Sequence, residues 1–411
     1  MLRTYKYRLY PKQEQLIPLA KHFGCVRYIY NWALEMKIRM YQKAKKRLST
    51  FEVQRQLTRL KHQDATSWLS EVNSQSLQQS VKHLENAFTK FFREKKGFPK
   101  FKSKHKKQSF SCPQNVKVNF EEGTVQVPKI GKVKTIFSRE FKGTIKTCTI
   151  SKTRTNKYFV SILVETGQPI PKKPKIDSKK TIGIDLGLKD FAICSDKTKI
   201  ANPKFLRNDE QRLRVLQRRA SKKIKGSKNR AKANLCVAIK HEKIRNRRTD
   251  FLHKASTRLI RENQTICFET LNVSGMMQNH KLAKSISDVS WSEFVRMLEY
   301  KAEWYGKNIL RIGKFEPSSK ICSCCGWIQQ DLTLKQRKWK CKECGVLHDR
   351  DVNAAINIKN FALQKQNLIG YSGSGRSGEF GELSGSNTET LNQKESPLQS
   401  VSSLTVQRTV L

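Results

Sequence analysis

Two acids in this chain follow apolar runs, where a carboxylate is costly to keep. Ile182-Gly183-Ile184-Asp185-Leu186-Gly187 and Ile266-Cys267-Phe268-Glu269-Thr270 each read as a buried strand that delivers an acid near its end. Left unpaired there, a carboxylate costs on the order of several kcal/mol. A third acid, Asp351, opens a helical run from Val352 to Ile358. Acids converging from two strand ends and a helix start suit a two-metal phosphodiesterase centre, in which carboxylates hold two Mg²⁺ ions about 3.5–4 Å apart. Taken singly, each acid has a plainer reading. Asp185 and Glu269 would be solvated turn or cap residues, and Asp351 a helix N-cap. Asp349 competes with Asp351 for the same role, and the spacing admits either.

Four cysteines carry a second chemistry. Cys322-x-x-Cys325 and Cys341-x-x-Cys344 stand fifteen residues apart, and a glycine follows each pair, Gly326 and Gly345. Two tight knuckles presenting four thiolates to one tetrahedral ion make a structural Zn²⁺ site. Cys324 is left over as a bystander, although Cys324 and Cys325 could swap ligand register, and His348 reads as loop, not ligand. Trp327 and Trp339 are expected to pack the ribbon around the ion.

The elements that must position these groups follow from periodicity. Residues 1–10 alternate and read as a strand ending at Pro11. From Lys12 to about Lys95 the apolar spacing is helical, closed by Gly97-Phe98-Pro99. Residues 108–166 are strand-like and turn-rich, a small β-barrel that the N-terminal strand joins across the helical insert. A Pro- and Lys-rich linker at 167–179 leads to a second domain. Its order is strand, strand, a long basic helical region (208–262), strand, helix, strand, the cysteine insert and a closing helix, an α/β layered architecture. The tail from 370 onward is Gly/Ser/Thr-rich without periodicity and reads as disordered.

Composition narrows the partner. The chain has 411 residues, with 82 Lys+Arg against 34 Asp+Glu, a formal charge of +48, and is 37% hydrophobic. It has apolar material for a real core, and its charge is explained most economically by a polyanionic partner. No run of about 18 apolar residues is present, so no bilayer span is read. The N-terminus lacks the apolar stretch of a secretory signal. Eleven cysteines, five of them between Cys322 and Cys344, suit a reducing compartment with one local metal site, not a disulfide framework. An intracellular, cytoplasmic nucleic-acid protein is expected, associated with the nucleoid if its host is prokaryotic, and not a membrane protein. The region 208–262 reads as a basic helical hairpin, with Arg218, Arg219, Lys222, Lys223, Arg230, Arg247 and Arg248 facing a phosphate backbone. Lys100 and Lys102 extend the basic surface. Phe91, Phe92, Phe98 and Phe101 lie among lysines, placed either to stack on bases or to pack a core.

With these motifs in place, the chain resembles the TnpB (OrfB) family, transposon-associated RNA-guided DNA endonucleases related to compact type V CRISPR effectors. The resemblance runs from Leu2 to about Leu368. It includes the run from Phe23 to Trp32, Gly97-Phe98-Pro99-Lys100-Phe101, Gly183-Ile184-Asp185-Leu186-Gly187, the Ser319-to-Gly326 knuckle and the closing Asp349-to-Asn357 run. It implies a wedge β-barrel domain (1–10 and 97–175) interrupted by a helical recognition domain (11–96). It further implies a RuvC-like RNase H fold (180–315 and 349–368) with an inserted zinc ribbon (316–348) and a disordered tail (369–411). Asp185, Glu269 and Asp351 match the three RuvC acids in order. The implied partners are a guide RNA from the transposon end and double-stranded target DNA, cut beside a short transposon-adjacent motif. Base pairing with the guide would read the sequence, and the protein would hold the heteroduplex by its backbone and shape. Gln78 falls where the recognition helix would meet the motif. Rival readings are a DNA transposase with an RNase H-like triad, an RNA-guided DNA-binding repressor without cleavage, and a zinc-ribbon binder with structural acids.

In this family the guide commonly overlaps the 3′ end of the coding sequence, so the tail's codons are expected to be constrained as RNA rather than as protein. Deleting residues 370–411 while supplying the guide in trans is expected to leave plasmid cleavage intact. Loss of cleavage in that assay would refute the idea.

Overall fold

The computed structural model describes residues 1–313, 316–333 and 335–368. The tail expected at 369–411 lies outside the described residues.

The first part of the chain is a seven-stranded antiparallel sheet with a helical insertion. Strand β1 (Leu2–Tyr10) is followed by helices α1 (Gln13–Ala44) and α2 (Thr50–Lys61), a 3-10 helix (Asp64–Glu71) and α3 (Ser74–Arg93). Six strands complete the sheet: β2 (Gln108–Cys112), β3 (Lys117–Asn119), β4 (Thr124–Val127), β5 (Gly131–Ile136), β6 (Thr144–Lys152) and β7 (Tyr158–Glu165). The order is β2-β6-β7-β1-β5-β4-β3, so β1 is central, as expected of a strand rejoining its sheet across an insert. Leu2 lies opposite Glu165 and Leu9 opposite Tyr158, while Arg8 pairs with Ile136 on the other side. The hydrogen-bonded ladder has β2 and β3 as its two ends. Helical spacing sets the inner faces of the insert. Leu19, Phe23, Val26, Ile29 and Ala33 of α1 are buried together with Leu77, Val81 and Leu84 of α3. Both α2 and α3 start on side-chain caps, Ser49 and Asn73.

The second part is a mixed five-stranded sheet covered on both faces. Its strands are β8 (Thr181–Leu186), β9 (Asp190–Cys194), β10 (Lys199–Ala201), β11 (Thr265–Glu269) and β12 (Asn308–Ile312), in the order β10-β9-β8-β11-β12. The β8–β11 and β11–β12 pairs are parallel, and the hairpins β8–β9 and β9–β10 antiparallel. The basic region forms helices α4 (Phe205–Ser221) and α5 (Lys228–Glu262), broken at Gly226. Short helices α6 (Val273–Met276) and α7 (Ala283–Val289) precede α8 (Trp291–Tyr305). After β12 come the cysteine insert with β13 (Lys338–Lys340) and β14 (Leu347–Asp349), then α9 (Arg350–Gln364).

Side-chain alternation divides the sheet's two faces. Ile182, Ile184, Ile266 and Phe268 join Leu252 and Leu259 of α5 and Phe294 and Leu298 of α8 in one core. On the opposite face Cys267 and Ile312 meet Ile358 and Ala362 of α9. The strands are covered on both sides, hence their near-continuous apolar sequences. Gly183 lies on the α9 face, and a Cβ there would stand 2.1 Å from the Ala355 carbonyl oxygen and 2.8 Å from the Lys359 nitrogen. The close approach that this glycine permits is therefore made by a helix backbone. Among the described residues no helix is long and apolar enough to cross a membrane.

Gly183→Ala is expected to lower stability by about 1–3 kcal/mol or more, because the backbone contact leaves no room for a methyl group. Gly24→Ala, inside α1 with nothing within 4 Å of its would-be Cβ, should instead gain about 0.5–1 kcal/mol. Circular dichroism during thermal unfolding distinguishes the two.

Candidate active site

The parallel ladder aligns two of the acids. Gly183 pairs with Cys267 and Ile184 with Phe268, so the next residues along the two strands are Asp185 and Glu269. The two-residue period puts both on the face that carries Gly183 and Cys267, under α9. Asp351 lies in the first turn of α9. Four residues on, the Ala355 carbonyl is the group pressed against Gly183, which lays the start of the helix toward the strand ends. The proximity registers in the chemistry of Asp185, whose pKa is pushed up to about 7, first by burial and then by the negative charges of Glu269 and Asp351. Arg350 and Arg337 oppose that rise. Burial also raises Glu269, against the Ser318 hydroxyl, which donates to its Oε1 at 2.6 Å.

Asp349 and Asp351, interchangeable by spacing, differ in their partners. Asp349 is the N-cap of α9: its Oδ1 accepts from the Asp351 and Val352 amides at 3.1 and 3.4 Å. Its Oδ2 accepts from Lys199 Nζ at 2.7 Å. Against the upward pull of burial, Lys199 and those amides hold its carboxyl below the usual range. Asp351 does not cap; Arg337 Nη1 reaches its two oxygens at 3.1 and 3.2 Å.

Two buried asparagines, one turn apart on α9, tie this region to the cysteine insert. Asn357 Nδ2 donates to the Ser318 and Ile321 carbonyls at 2.7 and 2.6 Å. Asn353 Nδ2 donates to the Ile321 carbonyl at 2.7 Å, and its Oδ1 accepts the Ser323 amide at 2.9 Å. Together they fix the loop that brings Ser318 to Glu269 and leads into Cys322. Sequence reasoning did not single out Ser318, Arg337, Asn353 or Asn357. The one available signal was two amide side chains at i and i+4 among apolar neighbours.

The sulfurs of Cys322, Cys325, Cys341 and Cys344 all lie within 4.8 Å of one another, an arrangement able to hold a metal ion. The two knuckles match. Gly326 and Gly345 take φ of +79° and +70°, and their amides donate to the Cys322 and Cys341 carbonyls at 2.9 and 3.0 Å. Cys324 is exposed and outside the group. Trp339 is buried against Cys322 and Cys341, with Trp327 packed beside them. The reading of His348 as loop is corrected: it is the middle residue of β14, buried, with Nε2 3.0 Å from Cys322 Sγ and its ring 4.7 Å from that of Trp339. A three-residue strand is too short to leave a periodic trace.

The residues expected to meet nucleic acid divide. Gln78, Lys100, Arg218, Arg219, Lys222 and Lys223 are exposed. Lys102 turns inward: its ammonium sits 3.8 Å from the Tyr30 ring centre, and burial pushes its pKa down to about 8. Arg230 bonds the Lys223 carbonyl at 2.9 Å across the α4–α5 turn. Arg247 lies 5.0 Å over Phe205 and 3.4 Å from Asp209, and Arg248 reaches the buried Asp288 at 2.9 Å.

The raised pKa of Asp185 sets a sign for pH dependence. The folded chain holds a proton that the unfolded chain releases, so this contribution to stability is full below about pH 3.8 and is lost as pH rises through about 7. In buffer without added divalent cations, Asp185→Asn is expected to gain on the wild type between pH 5 and pH 8, by on the order of 2 kcal/mol at the upper end. Urea unfolding at each pH measures it.

Family models match three stretches of the chain. One described as "Probable transposase" covers residues 161–280, one described as "Cas12f1-like, TNB domain" covers 291–358, and one described as "Helix-turn-helix domain" covers 1–46. Over that last stretch the structure has β1 and the single helix α1. A protein of Streptomyces pristinaespiralis named "Putative RNA-guided DNA endonuclease" is 42% identical over 360 residues, covering 87% of this chain and 88% of its own length. "Putative RNA-guided DNA endonuclease InsQ" of Escherichia coli (strain K12) is 31% identical over 372 residues, covering 87% of this chain and 91% of its own length. The solved structure titled "Cryo-EM structure of the Cas12f1-sgRNA-target DNA complex" shares the fold, with a TM-score of 0.53 at 16% identity over 88% of this chain and 99% of that one. With relatives this similar over nearly their whole length, the chain belongs to the TnpB (OrfB) family, kin to the compact type V effectors.

Proposed function

We propose that this protein is a transposon-encoded RNA-guided DNA endonuclease that reads a short transposon-adjacent motif and hydrolyses guide-matched duplex DNA at Asp185, Glu269 and Asp351. The observation that carries the reading is that Asp185 feels the negative charges of both Glu269 and Asp351, in a chain 42% identical to a putative RNA-guided DNA endonuclease. Like charges gathered in a half-buried place are a poor resting state for a protein and a good donor set for hard divalent cations. Asp185, Glu269 and Asp351 would hold two Mg²⁺ ions. Bound there, such ions supply an activated water and stabilise the leaving oxygen of a phosphodiester. The Ser318 hydroxyl orients Glu269, and Arg337 balances the charge of Asp351. The four cysteines would hold a structural Zn²⁺, with His348 donating to the Cys322 sulfur.

In this reading residues 1–10 and 97–175 are a wedge barrel and 11–96 a recognition domain. Residues 180–315 and 349–368 are a RuvC-like RNase H fold, and 316–348 its zinc ribbon. Gln78 would meet the adjacent motif. Lys100, Arg218, Arg219, Lys222 and Lys223 would follow nucleic-acid backbones. The transposase description of the matching family model favours a second reading, in which the same acids join strands at transposon ends without RNA.

The test is to co-express the protein with its transposon-end RNA, then incubate it with Mg²⁺ and a plasmid bearing a matched target beside a randomised flank. Cuts confined to one flank motif are expected. Asp185→Ala should reduce them by more than about 100-fold, a loss that removal of an outer-shell partner alone can reach. Guided binding without cuts would move the protein to the repressor reading, and strand joining without RNA to the transposase reading.

A further inference from the structure

The helical insertion carries an aromatic ledge that the acids and cysteines do not use. Phe88 and Phe91 of α3 are half-buried, and two outer rings lean on them. Phe98 stands edge-on to Phe88 at 5.6 Å and to Phe91 at 5.4 Å, and Phe92 lies 5.0 Å from Phe91. The outer rings keep exposed surface: Phe92 is 54% exposed although the Arg47 guanidinium lies over its ring at 5.2 Å, Phe98 39%, and Phe101, three residues on, 53%. The segment that presents them is irregular but pinned. The Lys102 amide donates to Asn31 Oδ1 at 2.7 Å, and Asn31 Nδ2 donates to the Lys102 carbonyl at 3.0 Å. Pro99 beneath it is buried.

Exposed phenylalanines grouped on one pinned segment suit an interaction site. From residue 90 to residue 107 the chain has nine basic side chains and one acid. That field repels a second copy of the same surface and attracts a polyanion. A polyanion that also offers flat apolar faces is a single-stranded nucleic acid, whose bases stack on aromatic rings whatever their sequence. Of the three strands in the proposed reaction, the guide and the two of the target duplex, only the guide is present in the resting protein, and an apolar ledge is best covered at rest.

We propose that Phe92, Phe98 and Phe101 form a stacking platform for unpaired bases of the guide RNA. The proposal rests on the guided-nuclease reading. The test uses the full chain and a guide RNA substituted with 4-thiouridine, photo-crosslinked and mapped by mass spectrometry, alongside affinity measured over a range of salt. Crosslinks are expected in the peptide that carries Phe92, Phe98 and Phe101. The double variant Phe92→Ala/Phe98→Ala should bind guide about tenfold or more weakly. Its salt dependence should be unchanged, because stacking releases no counterions. Phe98→Tyr, which keeps the ring, should bind as the wild type does. If the alanine variant fails to fold, Phe92→Leu keeps an apolar side chain without the flat face and should still weaken binding. Equal affinity with crosslinks elsewhere would overturn the platform and leave the guided nuclease standing. A wild type that binds no RNA would overturn both. Crosslinking to a 4-thiothymidine-substituted target strand in place of the guide would overturn the assignment to RNA, and a dimer dispersed by the same variants would give the ledge to a second copy.

Discussion

At Gly183 one backbone comes nearly against another, and the geometry of the acid cluster follows from that approach. Helices on sheets are ordinarily held off by side chains, whereas here the Ala355 carbonyl fills the place of a Cβ. The approach sets the height of α9 over β8, and its N-terminal turn, where Asp351 sits, is set with it. The ladder between β8 and β11 supplies the other coordinate. A slip of one residue in that register would turn Glu269 to the far face, among the apolar side chains under α5 and α8. Apolar packing along the rest of α9, where Ile358 and Ala362 meet Cys267 and Ile312, holds the approach in place.

The closeness has an electrostatic cost that the surroundings partly offset. Asp185 feels the negative charges of Glu269 and Asp351 in a protein whose net charge is +48, so the three acids make a negative spot within a positive field. Arg337 lies against one acid, Ser318 donates to another, and Asp185 answers by holding its proton more firmly. Arg337 comes from the cysteine insert, and β14 runs straight into α9. The cysteine cluster and the acid cluster are thereby one mechanical object. Asn353 and Asn357 are its rivets, since their buried amides donate to loop carbonyls at Ser318 and Ile321.

Much of this layout was legible in the sequence, for identifiable reasons. Apolar runs interrupted by an acid, and cysteines at knuckle spacing, are local patterns, and local patterns survive in one dimension. The return of β1 to its sheet was legible because alternation on both sides of a helical block leaves little else for it to do. Partnership was not legible. Asp349 and Asp351 can both cap a helix, and only the folded chain shows which is occupied by amides and Lys199. Lys102 and Arg248 look like any other basic residue until Tyr30 and Asp288 are seen beside them. His348 was misread because its strand is three residues long and its partner sulfur lies 26 positions away.

The central place of β1 governs the order in which this protein can be made. Its partners are β5, whose last residue is Ile136, and β7, whose last is Glu165. During synthesis β1 leaves the ribosome well before either partner and therefore waits, apolar face uncovered, for most of the sheet to follow. The helices between them have close-range contacts and can assemble sooner, because closing short loops is the faster step. Their packing draws the two halves of the sheet toward each other before the ladder closes. The insertion thus serves nascent β1 as a scaffold, and a change that slows α1 or α3 would lengthen the interval in which an unpaired strand edge is open to aggregation.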